Sequence, residues 1–279
     1  MNSLTLGDGR VVQLGERAHG GTKNDTRFGV VGSQDVVVKV EDTHGQLEDE
    51  RVALDFLAGT KVRVPRVVAS GVTGAGRPFL VMTREKGVRA VTPAGWGRLG
   101  RDLACLLDVS ADSCPFPRIG SDDFAADHSA RLNVVGSLLD PSLANEIERA
   151  IDTISGVERL VITHGDPGSG NYLDSEDDDR PGVVLDWESA SIAPVGLDAG
   201  RAVFIGLMDL GHTGIPNQLA AALIRGYTEQ AASLSLDDEL LRAWTIVAGL
   251  QFIHGRHMRP LVPERTPAAA VRVLESYLA

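Results

Sequence analysis

The stretch ITHGDPGSGNYLDSEDDDRPGVVLDWESA, residues 162–190, leads two apolar segments directly into acidic residues. Residues 160–163 precede Asp166, and residues 183–185 precede Asp186. Short apolar runs bounded by turn residues predict strands, so we expect both carboxylates at strand ends, whereas the acidic residues between them lie in a polar loop. A carboxylate at the end of a buried strand needs a chemical reason, because an unpaired buried charge is costly.

Length, composition and charge exclude several classes of protein. With 279 residues, 43% of them hydrophobic, the chain can bury a sizeable core as one large domain or two lobes. The net charge of −11 argues against nucleic acid or an anionic membrane as a partner; it suits a cationic substrate, although solubility alone also explains it. The N-terminus lacks a secretion-signal pattern, and no apolar run approaches the ~18 residues that cross a bilayer. Two cysteines, Cys105 and Cys114, make neither a disulfide framework nor a metal cage, so we expect a cytoplasmic protein.

The order of predicted elements indicates an α+β protein with two lobes. A first lobe, residues 1–85, contains strand-like runs around one main helix, and a second lobe, residues 86–279, is mostly helical. The predicted strands cover residues 10–21, 27–31, 35–41, 64–72 and 77–85, the main helix covers 46–59 with Gly59 as its C-cap, and later helices cover 197–209, 216–233, 237–258 and 267–278. An exposed edge strand in the small lobe permits a homodimer as well as a monomer.

A lysine and a glutamate in the first lobe form a predicted pair. Glu50 interrupts the buried stripe of its helix, which otherwise consists of leucines, and a carboxylate there needs a cationic partner. Lys39 lies within the strand VVVKVE, on a face whose neighbours are apolar. Paired, the two would aim a fixed ammonium at a ligand. The alternative, equally open from these two residues alone, is a surface lysine and a glutamate on the flank of a helix.

Three polar side chains of the opening stretch can converge, two as ligands of a metal ion and one as a proton acceptor. Asp166 and Asn171 are five residues apart in a tight Pro/Gly loop, and Asp186 ends the neighbouring strand. Amide and carboxylate oxygens are the ligands that Mg²⁺ prefers when phosphate oxygens fill its other positions, and a carboxylate left free can accept a proton from an attacking hydroxyl. Each residue by itself could instead cap a turn.

Two motifs in this stretch resemble a known family. HGDPGSGN, with an asparagine five residues after the aspartate, and LDWE are similar to the catalytic loop and the metal-binding strand end of the aminoglycoside phosphotransferase and choline kinase family, small-molecule relatives of protein kinases. The resemblance extends from about residue 20 to about residue 205. It implies a protein-kinase-like bilobal fold and transfer of the γ-phosphoryl of ATP or GTP to a hydroxyl, with Mg²⁺ as cofactor.

The resemblance also implies roles for individual residues. Asp166 would be the catalytic base, and Asn171 and Asp186 would hold the metal. Lys39, kept in place by Glu50, would neutralise the nucleotide phosphates. Two further residues would support the catalytic loop: His164 from within it, and Asp198 from the start of a helix in GLDAGRAVF.

The implied nucleotide site includes a glycine turn and the connector between the lobes. Gly20 and Gly21 in AHGGTKND would let backbone N–H groups approach phosphate, although there is no G-x-G-x-x-G and a plain hairpin turn is the alternative. In PFLVMTREKG, the Thr83 carbonyl and the Glu85 amide would meet the base edge, with Met82 behind them; the alternative for Met82 is a core residue.

The acceptor is the least readable part of the sequence. The leading interpretation is an antibiotic-modifying kinase of the aminoglycoside type, acting on an aminoglycoside, a cyclic peptide or a nucleoside antibiotic. The second is a metabolic kinase for a sugar, an amino alcohol or an amino acid. The third is an inactive nucleotide-binding protein, which the intact set Lys39, Asp166, Asn171 and Asp186 argues against. His254 and His257 share one side of a helix, but without a third ligand they do not predict a metal site.

Overall fold

The computed structural model describes residues 2–18, 24–41, 46–175, 180–210, 215–230, 237–258 and 266–278. The chain divides into two compact units: residues up to Arg89 with Gly170–Ala190, and Ala90–Ser169 with the residues from Ser191 onward. The strands are β1 (Ser3–Thr5), β2 (Val11–Arg17), β3 (Asn24–Val31), β4 (Gln34–Glu41), β5 (Val67–Val72), β6 (Pro78–Thr83), β7 (Val88–Arg89), β8 (Leu160–Thr163), β9 (Tyr172–Asp174), β10 (Val183–Val184) and β11 (Ser191–Pro194). The helices are α1 (Leu47–Leu57), α2 (Pro93–Ala104), α3 (Ser121–Val135), α4 (Pro141–Ser155), α5 (Leu197–Leu210), α6 (Pro216–Gln230), α7 (Asp238–Met258) and α8 (Pro267–Leu278).

The first unit is built on a six-stranded antiparallel sheet in the order β1-β2-β3-β4-β6-β5. The alternation in β4 orients Val36, Val38 and Val40 into a buried cluster on one face of the sheet. Lys39, between them in sequence, therefore projects from the opposite face. A second antiparallel sheet of this unit, in the order β10-β9-β7, carries the segment around Asn171 and Asp186.

The main helix of this unit ends slightly earlier than the sequence predicts. Its C-cap is Ala58, whose N–H donates to the Leu54 carbonyl, and not Gly59. Gly59 is the next residue and has φ 90°, a conformation that ends helices and that glycine adopts without strain. The C-cap therefore lies one residue earlier than the sequence predicts.

The second unit combines the antiparallel strands β8 and β11 with α2–α8. α2 begins with the Thr92 side chain accepting from the Gly95 N–H and with Pro93 in the first turn. The main core of this unit lies among α3, α4, α5, α7 and α8. Of the predicted helix 216–233, residues 231–233 lie outside the described residues. Within the described ranges, no helix has the length and apolarity that crossing a membrane requires.

Candidate active site

In the first unit, one lysine bridges two carboxylates. Lys39 Nζ lies 2.7 and 2.8 Å from the two carboxylate oxygens of Glu50 and 2.7 Å from Asp186 Oδ1. The Glu50 residue is fully buried, and the Lys39 side chain is 12% exposed. These are the distances of charge-assisted hydrogen bonds, so the structure brings together three of the residues that the sequence singled out.

Burial and charge act in opposite directions on this cluster. Burial by itself would lower the pKa of Lys39, but the carboxylates of Glu50 and Asp186 outweigh it, and the pKa is raised above its ordinary value. Burial raises the pKa of Glu50, and the Lys39 ammonium opposes that shift. Glu50 depends on Lys39 as its counter-charge, because an unpaired carboxylate at this depth would be strongly destabilising.

Regular secondary structure explains how Lys39 and Glu50 meet. Lys39 lies opposite Leu80 in the pairing of β4 with β6. Glu50 lies in the first turn of α1 on the same side as Leu47, Leu54 and Leu57, all buried. A period of two places the lysine on the α1 side of the sheet, and a period of 3.6 places the glutamate on the buried side of the helix.

Asp186 has an unusual backbone conformation. Its φ of 64° and ψ of 63° are left-handed, and among the described residues it is the only non-glycine residue with a positive φ. The neighbouring Trp187 is fully buried and donates from Nε1 to the Val184 carbonyl at 2.9 Å, which anchors the chain on the other side of Asp186. Strained backbone held by its surroundings is concentrated at functional sites.

Asn171 lies beside Asp186 at the end of the β9–β10 hairpin. Val184 pairs with Tyr172, and the Leu185 N–H donates to the Asn171 carbonyl at 2.8 Å. The hairpin thus offers one amide and one carboxylate, a set of hard oxygen donors that fits Mg²⁺. Within the described ranges, no group of three or more His, Cys, Asp or Glu side chains is arranged so that it could hold a metal ion.

The predicted nucleotide-binding residues lie in β6 and the connector after it. Met82 is buried in the sheet, paired with Val37 and Val67, as the core interpretation requires. The Glu85 carboxylate accepts from the Thr83 hydroxyl at 2.7 Å and from Arg63 at 3.0 Å. Gly20 and Gly21 lie outside the described residues.

In the second unit, one buried carboxylate holds the loop that carries Asp166. Asp198 Oδ2 accepts from the His164 N–H at 2.7 Å, and Oδ1 accepts from the Gly165 N–H at 2.9 Å. Burial raises the pKa of Asp198, while His164 and the two N–H groups oppose that shift. The loop turns at Gly165, whose φ of 80° favours glycine. His164 is fully buried, and its Nδ1 accepts from the Asp166 N–H at 3.1 Å, so it braces the loop as its sequence position suggests.

The structure adds a residue that sequence reasoning missed. Arg201 Nη2 lies 3.4 Å from Asp166 Oδ1. Arg201 follows Asp198 by three residues, which is one helical turn, and that spacing was the available signal. Gly168, two residues after Asp166, packs against the helix that carries Arg201. A Cβ at Gly168 would lie only 2.8 Å from Cγ2 of Ile205 on that helix, so the position leaves little room for a side chain.

Comparison with known proteins places the chain by family and by fold. The model of the phosphotransferase enzyme family matches residues 15–244. Comparison with curated protein sequences gives no match. Among solved structures, aminoglycoside phosphotransferase APH(4)-Ia is similar at TM-score 0.70 and 16% identity, covering 95% of this chain and 93% of that one. Macrolide 2'-phosphotransferase MphH from Brachybacterium faecium is similar at TM-score 0.63 and 19% identity, covering 94% of each chain.

A third structure is a thermostable variant of APH(4)-Ia in a ternary complex with AMP-PNP and hygromycin B. It matches at TM-score 0.68 and 16% identity, with 95% of each chain covered. At these identities the structural likeness shows the fold, which is that of the aminoglycoside phosphotransferases and protein-kinase-like, as the sequence motifs predicted.

Proposed function

The chain belongs to the phosphotransferase enzyme family, and from that premise we propose that it moves the γ-phosphoryl group of ATP or GTP to a hydroxyl of a small molecule. The observation that supports this most directly is the Lys39 cluster, in which a buried glutamate fixes an ammonium next to the carboxylate of Asp186. A metallophosphatase could use aspartate and asparagine ligands as well, but the match to the phosphotransferase family model over residues 15–244 supports phosphoryl transfer.

We assign the handling of the nucleotide to the residues of the first unit. Lys39, held by Glu50, neutralises phosphate oxygens, and Asn171 and Asp186 hold Mg²⁺, which when bound supplies positive charge to the phosphates. The further nucleotide contacts in the proposal are Gly20, Gly21, Met82, Thr83 and Glu85. The division into a nucleotide-binding lobe, residues 1–85, and a catalytic and acceptor-binding lobe, residues 86–279, is part of the same proposal; by residue number Asn171 and Asp186 belong to the second.

Asp166 is the catalytic base of the proposed reaction. A bond forms between the acceptor oxygen and the γ-phosphorus, the bond from that phosphorus to the bridging oxygen breaks, and the nucleoside diphosphate leaves with the electron pair. The acceptor proton passes to the Asp166 carboxylate. The hydrogen bonds from the His164 and Gly165 N–H groups to Asp198 keep the loop in place while the charge on Asp166 changes.

For the acceptor, we propose an antibiotic that carries hydroxyl groups, so that phosphorylation inactivates it. The proposal is supported by the solved structures with the same fold, whose names include an aminoglycoside and a macrolide phosphotransferase. The alternative is a metabolic kinase for a sugar, an amino alcohol or an amino acid. Both use the same residues, so the acceptor alone separates them.

The test is nucleotide consumption with Mg²⁺ and ATP or GTP against a panel of antibiotics and hydroxyl-bearing metabolites. We expect Asp166→Ala to lower turnover by about a hundredfold or more, because a positioned general base contributes 10²–10⁴ in rate, while nucleotide binding stays near the wild-type level. Asp152→Ala, at an exposed position on α4, is the matched control and should leave turnover unchanged. Weakened nucleotide binding with normal turnover in Asp166→Ala would contradict the assigned role.

A further inference from the structure

The guanidinium of Arg201 is held beside the proposed base by a rigid helix start. Asp198, one turn earlier on α5, is bonded to the backbone of the loop that carries Asp166. Between them, Gly200 packs so closely on the α7 backbone at Trp244 that a Cβ would not fit. The start of α5 is thus fixed on both sides, and Arg201 projects from it with its side chain 30% exposed.

The contact between Arg201 and Asp166 is longer than a strong hydrogen bond, and both side chains are partly exposed. The distance of 3.4 Å exceeds the 2.7–2.9 Å of a strong charge-assisted hydrogen bond. The Asp166 side chain is 45% exposed, and an arginine carries five N–H donors. The Asp166 carboxylate is therefore accessible to an acceptor hydroxyl, while a positive charge stands next to it.

The neighbouring histidine and arginine of α3 add no net positive charge to this environment, because His128 is neutral at pH 7 and Arg131 is paired with Asp127. His128 is buried and its ring stacks on that of Phe124. The distance from His128 Nδ1 to the Phe124 carbonyl oxygen is 2.7 Å. Burial lowers the pKa of His128 to about 4, and the charges of Arg131 and Arg201 act in the same direction, so both arginines lie within electrostatic range of it. The nearest acidic group on α3, Asp127, is bonded to Arg131 at 2.6 Å.

We propose that Arg201 determines the charge class of the acceptor: the hydroxyl that is phosphorylated has uncharged neighbours and no ammonium group next to it. This inference rests on the proposed function, in which the hydroxyl binds at Asp166. Arg201 touches the base and not the reacting bond, so it acts on specificity and on the position of Asp166.

Elementary electrostatics explains the direction of the selection. A lone carboxylate attracts an ammonium group close to it, and two like charges about 4 Å apart repel each other, more strongly where the effective dielectric is low. The Arg201 charge cancels the attraction that Asp166 would exert on a cationic neighbour of the reacting hydroxyl. A polycationic aminoglycoside therefore loses the benefit that it would have at a bare carboxylate, whereas an uncharged sugar hydroxyl loses nothing.

The experiment compares acceptors with a free amine and the same acceptors with the amine acetylated, and Arg201→Gln separates the effect of charge from that of the added acetyl group. Kanamycin is tested beside its per-N-acetylated form, and glucosamine beside N-acetylglucosamine, with kcat/KM measured for each pair. We expect the uncharged member to be preferred by wild type. In Arg201→Gln, the ratio of uncharged to cationic acceptor should fall about tenfold. Arg201→Lys should restore most of the ratio, since it keeps the charge.

Arg149→Gln on α4 is the matched control, because it removes an arginine whose side chain is 69% exposed and should leave the ratio unchanged. A wild-type preference for the amine forms overturns the inference, and so does an unchanged ratio in Arg201→Gln.

Failure of the proposed function can be distinguished from failure of this inference. If no acceptor is phosphorylated although nucleotide binds, the proposed function fails. The charge preference is then measured as the shift in melting temperature that each member of a pair causes. Greater stabilisation by the acetylated members, lost in Arg201→Gln, supports the inference, and equal stabilisation or none overturns it.

Discussion

Single buried polar residues carry most of the chemistry in this protein, and each has a partner that explains its burial. Glu50 is bonded to Lys39, and Asp198 is bonded to two backbone N–H groups. An ionised group removed from water without such a partner would be strongly destabilising. Residues of this kind mark the candidate site because core packing by itself gives no reason to bury them.

His128 gives a prediction at the residue scale. Its pKa is lowered to about 4, mainly by burial, with Arg131 and Arg201 lowering it further and Asp127 and the Phe124 carbonyl opposing the shift. Between its ordinary pKa near 6.5 and pH 4, the unfolded chain binds a proton that the folded protein does not. The free energy of unfolding should therefore fall by about 2 kcal/mol from pH 7 to pH 5 on account of this residue.

The measurement is urea unfolding of wild type and His128→Phe at both pH values. The phenylalanine keeps the stacking on Phe124. From pH 7 to pH 5, the free energy of unfolding of this variant should fall by about 2 kcal/mol less than that of wild type. His257→Phe, at an exposed position, should behave as wild type does. An identical pH dependence in His128→Phe would show that His128 titrates normally.

At the scale of elements, the candidate residues lie where strands and helices begin and end. Asn171 precedes β9 and Asp186 follows β10, so the pairing of the hairpin brings the two together. Asp198 and Arg201 occupy the first turns of α5. These positions leave the side chains outside the regular ladders, while the buried elements hold their backbones in place.

The packing of α2 against α6 gives a prediction at the same scale. A Cβ at Gly226 would overlap the Gly97 carbonyl oxygen, and one at Gly100 would overlap the Leu223 carbonyl oxygen. Because these neighbours are backbone, the helices would have to move apart. We expect Gly226→Ala to lower the free energy of unfolding by about 2 kcal/mol despite the better helix propensity of alanine.

Thermal or urea unfolding checks this, with Gly136→Ala as the control. A Cβ at Gly136 meets nothing within 4 Å, and the φ of −53° at this position suits any residue. The Gly136→Ala variant should therefore be as stable as wild type or slightly more stable. Equal stability of the two variants would mean that α2 and α6 pack less closely than the structure shows.

At the scale of the whole molecule, ligand binding should raise the free energy of unfolding and the melting temperature. A ligand at a hundred times its dissociation constant stabilises the folded state by about 2.7 kcal/mol. We therefore expect magnesium and ATP together to raise the melting temperature by about 5 °C, and EDTA to remove most of that rise. The Asp186→Asn variant should lose the magnesium-dependent part of the rise in melting temperature, because the amide keeps the shape of the side chain and removes its charge.

Asp55→Asn is the control, since Asp55 is an exposed carboxylate on α1 of the same unit. It should retain the full magnesium-dependent shift. An equal shift in Asp186→Asn and wild type would argue against Asp186 as a metal ligand.

The sequence by itself determined the fold class and much of the candidate site. Apolar alternation in β4 and the interrupted stripe of α1 gave a Lys39–Glu50 pair as one of two open interpretations, because periods of two and 3.6 decide which face a side chain occupies. The motif with His164, Asp166 and Asn171 indicated the family through short-range spacing. Such features depend on neighbours within about one element, and the residues themselves encode them.

Only the tertiary structure decided which distant segments meet. It placed residues 170–190 with the first unit, gave Asp186 a left-handed backbone, and brought Arg201 to Asp166 across 35 residues of chain. No local pattern specifies these contacts, because they result from packing two or more elements against each other. The charge environment of the proposed base is therefore a property of the fold, even though each charge in it is visible in the sequence.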